Sequence, residues 1–288
     1  MKILVAGRSG QLARELVSRR WPHAMQCVAL GRPDLDIRDE ASVEAALGAQ
    51  APDLLVNAAA YTAVDRAESE ADAAFALNAS GARNLARAAS RHGIPLIHVS
   101  TDYVFGGEGR RPWREDDGTA PQGVYARSKL AGEDAVREAT ARHVILRTSW
   151  LFAAHGHNFV HTMLRLAKSQ AEVSVVGDQW GCPTPAGDLA RVVEAIASRP
   201  GPFGTYHYCG RGAVTWHGFA AEIFARAAPM LANVPKLRKI STAEFAAPAP
   251  RPAYSVLDTD KIRRDYGIAQ RSWGEGLDGV LHQLAAGA

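Results

Sequence analysis

A chain of 288 residues with 47% apolar and 22% charged residues and 26 glycines has room for one large domain, or for a larger and a smaller part sharing a core. That composition excludes a disulfide-stapled mini-protein, a disordered chain, a collagen-like repeat and a long coiled coil. Lys and Arg number 33 against 30 Asp and Glu, a formal charge of +3 with no run of five or six like charges, so neither nucleic acid nor a membrane is an expected partner.

The chain opens on an apolar strand, Lys2 to Ala6, followed by a helical pattern over Gln11 to Arg20. Gly7-Arg-Ser-Gly10 lies between them, where the pyrophosphate of a dinucleotide meets the N–H groups of a helix start. Gly7 would make the tight turn, Gly10 would let backbone approach the phosphates, and the small Ala13 would let helix pack on strand. A lone Gly-x-x-Gly is also an ordinary strand-to-helix turn; its place at residue 7, straight after an apolar strand, favours the cofactor loop. The second strand, Gln26 to Leu30, runs into Gly31-Arg32 where an acid would otherwise accept the adenosine ribose hydroxyls. Arg32, with Arg8 in the loop, favours a ribose 2′-phosphate and therefore NADPH, although Arg32 on its own reads equally well as a solvated loop residue. Asp36 and Ile37 then offer a polar and an apolar contact for an adenine.

A helix over Ala41 to Leu47, a strand at Leu54 to Asn57, a long helix over Asp72 to His92 and a strand at Pro95 to Ser100 continue the alternation. A helix over Tyr125 to Thr140 and a strand at Val144 to Thr148 complete an α/β reading: a Rossmann-like doubly wound parallel sheet. Tyr125 and Lys129 fall four apart on one face of their helix. A phenol is a poor proton donor or acceptor at neutral pH unless a nearby cation tunes it, and Lys129 can do so. Thr101, just past the fourth strand, would bring a hydroxyl to the same substrate oxygen. A Tyr and Lys at this spacing are common on solvated helices; joined to the glycine loop and Thr101, they point to carbonyl and alcohol redox chemistry.

Beyond Trp150 the rhythm loosens into a helix over Asn158 to Lys168, a strand at Val173 to Val176, a Pro/Gly-punctuated stretch from Gly177 to Gly187 and a helix from Asp188. Thr205 to Tyr208, a helix from Trp216 and a connecting Pro/Ala run over Ala246 to Pro252 follow, with a further helical segment after them. Residues 1–150 thus read as an NADP(H)-binding Rossmann domain. Residues 151–288 read as a smaller, C-terminal-weighted part, mainly substrate-binding, with some segments returning to the Rossmann core. Three cysteines, Cys27, Cys182 and Cys209, without C-x-x-C or Cys/His spacing, suggest neither a disulfide framework nor a metal site. With no signal segment and no spanning apolar run, the expected location is the cytoplasm.

Longer strings add a resemblance. Val56-Asn-Ala-Ala-Ala-Tyr-Thr-Ala-Val-Asp65, Ser100-Thr-Asp-Tyr-Val-Phe105, Arg147-Thr-Ser-Trp-Leu-Phe152, Asn158-Phe-Val-His-Thr-Met-Leu-Arg165, Asp178-Gln-Trp-Gly-Cys-Pro-Thr184, Gly204-Thr-Tyr-His-Tyr208 and Arg251-Pro-Ala-Tyr-Ser-Val-Leu-Asp258 join Gly7-x-x-Gly10 and Tyr125-x-x-x-Lys129. The chain resembles the extended short-chain dehydrogenase/reductases over essentially its whole length, and within them the dTDP-4-dehydrorhamnose reductase family. That resemblance implies Thr101, Tyr125 and Lys129 as the catalytic set. It implies Gly7, Gly10, Gln11, Leu12, Asp36, Ile37, Ala58, Ala59 and Ala60 as the cofactor lining, beside Arg32, Tyr125 and Lys129. Thr101, Asp102, Tyr125 and Trp150 would meet the sugar of a dTDP-sugar substrate, and Asn158 and Arg251 its diphosphate. For these last three a core aromatic, a helix-start amide and a loop cation are the plain alternatives.

The implied reaction is NADPH-dependent reduction of a 4-keto group, with NADH accepted as well. Ala13 stands where the family often has Gly, a difference of one methyl. Some relatives bind magnesium at a dimer contact through C-terminal acids, which the tail from Gln283 to Ala288 does not offer. The sequence leaves the oligomeric state open, with a homodimer as the candidate assembly. Two other readings stay open: a sugar-nucleotide epimerase or dehydratase that keeps its cofactor, and a non-catalytic regulatory subunit like that of methionine adenosyltransferase. The intact Thr101, Tyr125 and Lys129 set argues against the second.

Overall fold

Short apolar runs become strands here because both of their faces are covered. β1 (Lys2–Ala6), β2 (Gln26–Leu30), β3 (Leu54–Asn57), β4 (Leu96–Thr101) and β5 (His143–Thr148) form one sheet with a sixth strand, Gly204–His207. The order is Gly204–His207, β5, β4, β3, β1, β2, and every neighbouring pair is parallel. The structure is a computed structural model and describes residues 1–22, 24–199 and 201–287, so Ala288 at the end of the tail lies outside the described residues.

The pleat divides each strand between two cores. Ile3 and Val5 point to one side, against Leu12 and Leu16 of the helix Gln11–Ser18 and Leu189 and Val193 of the helix Ala186–Ser198. Leu4 and Ala6 point to the other, against Val43 and Leu47 of the helix Glu40–Gln50, Leu85 and Ala89 of Gly81–Arg91, and Val136 of Val124–Ala139. With order 2-1-3-4-5, chain direction across the sheet reverses between β1 and β3, and ligands of such sheets bind at that switch, beyond the carboxyl ends of the strands.

A third core lies outside the sheet. Phe152, Val160, Met163, Phe219, Ile223 and Leu277 gather the helices Phe159–Ala167, Trp216–Ala227 and Trp273–Ala286 around a two-stranded parallel ladder, Glu172–Val176 with Lys236–Ile240. The second of these strands, Lys-Leu-Arg-Lys-Ile, carries three cations and gives no apolar signal; pairing with the Val173 strand and a 3.1 Å bridge from Lys236 to Glu172 hold it.

The helix expected over Asp72 to His92 is interrupted. It runs Ala71–Phe75, then a π-turn Ala76–Ser80, then Gly81–Arg91. Asn78, inside the π-turn, accepts from the Tyr61 N–H at 2.8 Å and donates to the Tyr61 carbonyl at 3.1 Å and the Ser128 hydroxyl at 2.9 Å. Such wide turns favour functional neighbourhoods because they re-aim side chains. A short helix Val64–Ala67 was also unforeseen. Among the described residues no helix is long and apolar enough to cross a membrane.

Candidate active site

The glycine loop leaves β1 with Gly7 at φ +110°, a conformation open to glycine and strained for other residues. A Cβ there would also come within 2.9 Å of the Ala59 amide nitrogen, so the loop can lie against the Ala58–Ala60 turn only because position 7 is bare. That turn is fixed in its own right: the Asn57 side chain accepts from the Ala59 N–H at 3.1 Å and meets His98 Nδ1 at 3.0 Å. Gly10 begins the helix Gln11–Ser18 without any side-chain cap, which leaves its first N–H groups free for an anion.

A cleft of about 730 Å³ opens over these segments, lined by Gly7, Gly10, Arg32, Asp36, Ile37, Ala58, Ala59 and Ala60, and by Arg8, Arg38, Tyr61 and Leu77. Volume, bare loop and uncapped helix start fit a dinucleotide. Eight of the twelve sequence-expected contacts line it; Gln11, Leu12, Tyr125 and Lys129 do not. Leu12 is 4% exposed and packs in the core, so its backbone alone could face a cofactor. Gln11 points away, its Oε1 accepting from the Asn158 amide at 2.9 Å.

Three arginines, not two, border the ribose end of this cleft. Arg8 pairs with Asp34 at 3.0 Å, and Arg38 grips Asp36 through Nε and Nη2 at 2.9 and 2.5 Å. The Arg38 guanidinium holds the Asp36 carboxyl down at about 2, so Asp36 is anionic and occupied. Arg38 escaped the sequence reading because it acts through a residue two positions away. A charge-assisted phosphate contact contributes about 1.5–3 kcal/mol, so Arg32→Ala is expected to lower the ratio of kcat/KM for NADPH over NADH by roughly tenfold or more. A parent that favours NADH, or a ratio unmoved by the substitution, would place Arg32 in solvent.

The chemical centre forms where β4 ends. Thr101 donates to Asp102 Oδ1 at 3.1 Å and accepts from the Tyr103 N–H at 3.2 Å. Tyr125 stands in the first turn of the helix Val124–Ala139, whose start lacks a local cap; Glu68, from a distant turn, accepts from the Val124 N–H at 2.8 Å instead. One turn later, Lys129 is 2% exposed and donates to the Val99 carbonyl at 2.7 Å, two residues before Thr101. Burial pushes the Tyr125 phenol up to about 12, Thr101 pulling it the other way. Burial also draws the Lys129 ammonium down to about 8, against the pull of Glu133. Asp102, 2% exposed with Oδ2 unpartnered, is raised by the same desolvation to about 7.

Beneath this centre lies a buried ionic network the sequence did not announce. Glu133, four residues after Lys129, takes two hydrogen bonds from Arg147 of β5 at 2.9 and 2.7 Å, one from Ser100 at 2.6 Å and one from Arg137 at 2.6 Å. It ties the Tyr125 helix to the strand ends that carry Thr101 and Trp150.

The diphosphate candidates are already engaged. Asn158 caps the helix Phe159–Ala167 by accepting from the His161 N–H, and its amide donates to Gln11 and Ala153. Arg251 pairs with Asp65 at 2.8 Å and donates to the Ala249 carbonyl. A diphosphate would have to draw on donors these contacts now hold. Trp150 lies just past β5, half-buried and face to face with Trp216.

A parallel sheet with a glycine loop at its switch point, and a Thr, Tyr and Lys set at the end of the fourth strand, define a nicotinamide-dependent oxidoreductase of the short-chain dehydrogenase/reductase class. Comparison with known proteins narrows this. The family model described as the RmlD substrate binding domain matches residues 1–286, and the chain belongs to that family, the dTDP-4-dehydrorhamnose reductases. A dTDP-4-dehydrorhamnose reductase from Sinorhizobium fredii is 44% identical over 281 residues, 96% of this chain and 95% of that one. A probable dTDP-4,6-dihydroxy-2-methyloxan-3-one 4-ketoreductase from Streptomyces antibioticus is 42% identical over 289 residues, 99% of this chain and 96% of that one. Among solved structures, a Bacillus anthracis dTDP-4-dehydrorhamnose reductase in complex with NADP superposes with a TM-score of 0.92 at 37% identity, covering 98% of this chain and 99% of that one.

Proposed function

We infer that this protein reduces the 4-keto group of dTDP-4-dehydro-6-deoxy-L-mannose (dTDP-4-dehydro-β-L-rhamnose) to dTDP-L-rhamnose with NADPH, in dTDP-rhamnose biosynthesis. The observation that carries the reading is Tyr125 one helical turn from a buried Lys129 that donates to the Val99 carbonyl, two residues before Thr101, in a chain whose glycine loop opens a cleft of dinucleotide size. NADPH, when bound, supplies the hydride for carbon 4. Tyr125, protonated throughout the neutral range, gives its proton to the carbonyl oxygen as charge develops there. Thr101 orients that oxygen and Lys129 anchors the nicotinamide ribose; the tuning of the phenol expected of Lys129 is not among the causes of its shift, which burial dominates. Gly7, Gly10 and the Ala58–Ala60 turn hold the dinucleotide, with Gln11 and Leu12 contributing backbone; much of the catalysis is alignment of the two reactants.

Asp102 and Trp150 complete the sugar subsite, and Arg251 and Asn158 flank the diphosphate. Residues 1–150 serve the cofactor and 151–288 mainly the substrate, with Ala186–Ser198 and Gly204–His207 returning to the Rossmann core. Free Cys27, Cys182 and Cys209 support a reducing cytoplasm, and a homodimer is the proposed assembly.

The test is incubation with NADPH and a panel of nucleotide 4-ketosugars, following cofactor oxidation and the deoxysugar formed. Stoichiometric NADPH consumption with dTDP-L-rhamnose as product is expected. Conversion of a sugar without net consumption would instead identify an epimerase or dehydratase, and no turnover alongside a stable one-to-one complex with another enzyme would identify a regulatory subunit.

A further inference from the structure

Trp150 is held in a pose it would not take unaided. Its φ is +47°, in the left-handed region that costs a side-chain-bearing residue, and its indole N–H is buried without an acceptor. Its ring lies on Trp216 with centroids 3.5 Å apart and planes 8° from parallel, a near-eclipsed sandwich rather than the offset or edge-on arrangement aromatic pairs prefer. Three locally unfavourable features in one side chain mean that the surroundings impose its position.

The structure shows how. Gly181 and Val214 face each other in a two-residue antiparallel ladder, with Trp180 opposite Thr215. A Cβ on Gly181 would come within 2.5 Å of Trp150 Cε2, so glycine is what admits the indole. The other strand of the ladder runs straight into Trp216, and the Thr215 hydroxyl caps that helix by accepting from the Gly218 N–H at 3.0 Å. Behind Trp216, Phe159 leans on its ring at 4.7 Å. The ladder that makes room for Trp150 therefore also presents the flat face that fixes it.

We propose that Trp216 is the positioning residue for the substrate side of the site: by stacking on Trp150 it sets the indole against which the nucleotide sugar is seated. The proposal rests on the reading of Trp150 as a sugar contact. Trp216 itself touches no reacting atom, so its loss acts on substrate affinity and leaves cofactor affinity alone.

The test uses the full-length protein with Trp216→Leu, which keeps apolar bulk without a flat face, and Trp216→Phe, which keeps a ring. Trp216→Leu is expected to raise KM for the ketosugar about three- to tenfold, the equivalent of an aromatic pair, with KM for NADPH unchanged and Trp216→Phe recovering most of the loss. The parent is expected to show a far-ultraviolet exciton couplet from the stacked indoles, lost equally in Trp150→Phe and Trp216→Phe. Parental KM values in Trp216→Leu, equal losses for both ligands, or a couplet that survives either Phe substitution would overturn the proposal. Trp150→Ala separates the two layers: it is expected to raise KM for the ketosugar far more than KM for NADPH. If Trp150→Ala changes neither value, the sugar contact fails and takes the role of Trp216 with it; if Trp150 matters and Trp216 does not, the role of Trp216 alone fails.

Discussion

Tyr125→Phe is expected to lower kcat by at least about two orders of magnitude, the scale set by removal of a positioned general acid, while NADPH binding survives. The phenol retains its proton across the neutral range, whereas Asp102 and Lys129, at about 7 and about 8, titrate within or near it. Burial pushes the phenol up to about 12, so it is protonated at neutral pH. Phenylalanine keeps the ring and its edge-on packing with Tyr103, centroids 6.1 Å apart, so the site stays shaped. Lys129→Met is expected to behave differently, lowering turnover and cofactor affinity together, because one buried ammonium is proposed to serve both the phenol and the nicotinamide ribose. Steady-state kinetics with a separate NADPH binding titration distinguish the two variants; parental turnover in Tyr125→Phe would remove the catalytic assignment.

Glu133→Gln destabilises the fold by about 3–5 kcal/mol, the usual cost of stranding one member of a buried ion pair. Glu133 is 0% and Arg147 2% exposed, so the amide leaves a guanidinium charge in the core. The direction of the carboxyl's shift agrees. Burial alone would raise the Glu133 carboxyl, but Arg147, Ser100 and Arg137 hold it down from an ordinary 4.5 to about 2. A carboxyl with a depressed folded value contributes above its unfolded value and loses that contribution as pH falls through the folded one. The parent should therefore weaken between about pH 4.5 and 2, and that increment should be missing in Glu133→Gln. Urea unfolding across that range is the measurement. A change within about 0.5 kcal/mol at neutral pH, the size of a surface substitution, would show that the pair adds no net stability.

What could be read in the sequence was local. β1 and β3–β5 announce themselves because strands buried on both faces need apolar residues at nearly every position. The Gly7 turn and the Tyr125–Lys129 spacing are legible because their chemistry is fixed by neighbours in the chain. Contacts that depend on distant partners were not. Nothing in Glu133 tells that an arginine on β5 will meet it, and nothing in Trp216 tells that Trp150 will lie on it. The π-turn at Ala76–Ser80 is invisible for the same reason, since the Asn78 partners, Tyr61 and Ser128, come from two other segments. Lys236–Ile240 is a strand by pairing alone.

The sixth strand bears on how such an enzyme could be taken apart. Gly204–His207 pairs with β5 in register Gly204 with Val144 through His207 with Arg147, and Leu189 and Val193 close the core around Ile3 and Leu12. A chain stopped at residue 150 would end with β5 as a raw edge, a surface that templates aggregation, and with one sheet face missing the Ala186–Ser198 helix beside Gln11–Ser18. Residues 1–150 and 151–288 are thus not modules that recombination could exchange whole; new loops would have to be grafted onto a body whose sheet depends on chain synthesised long after its first strands.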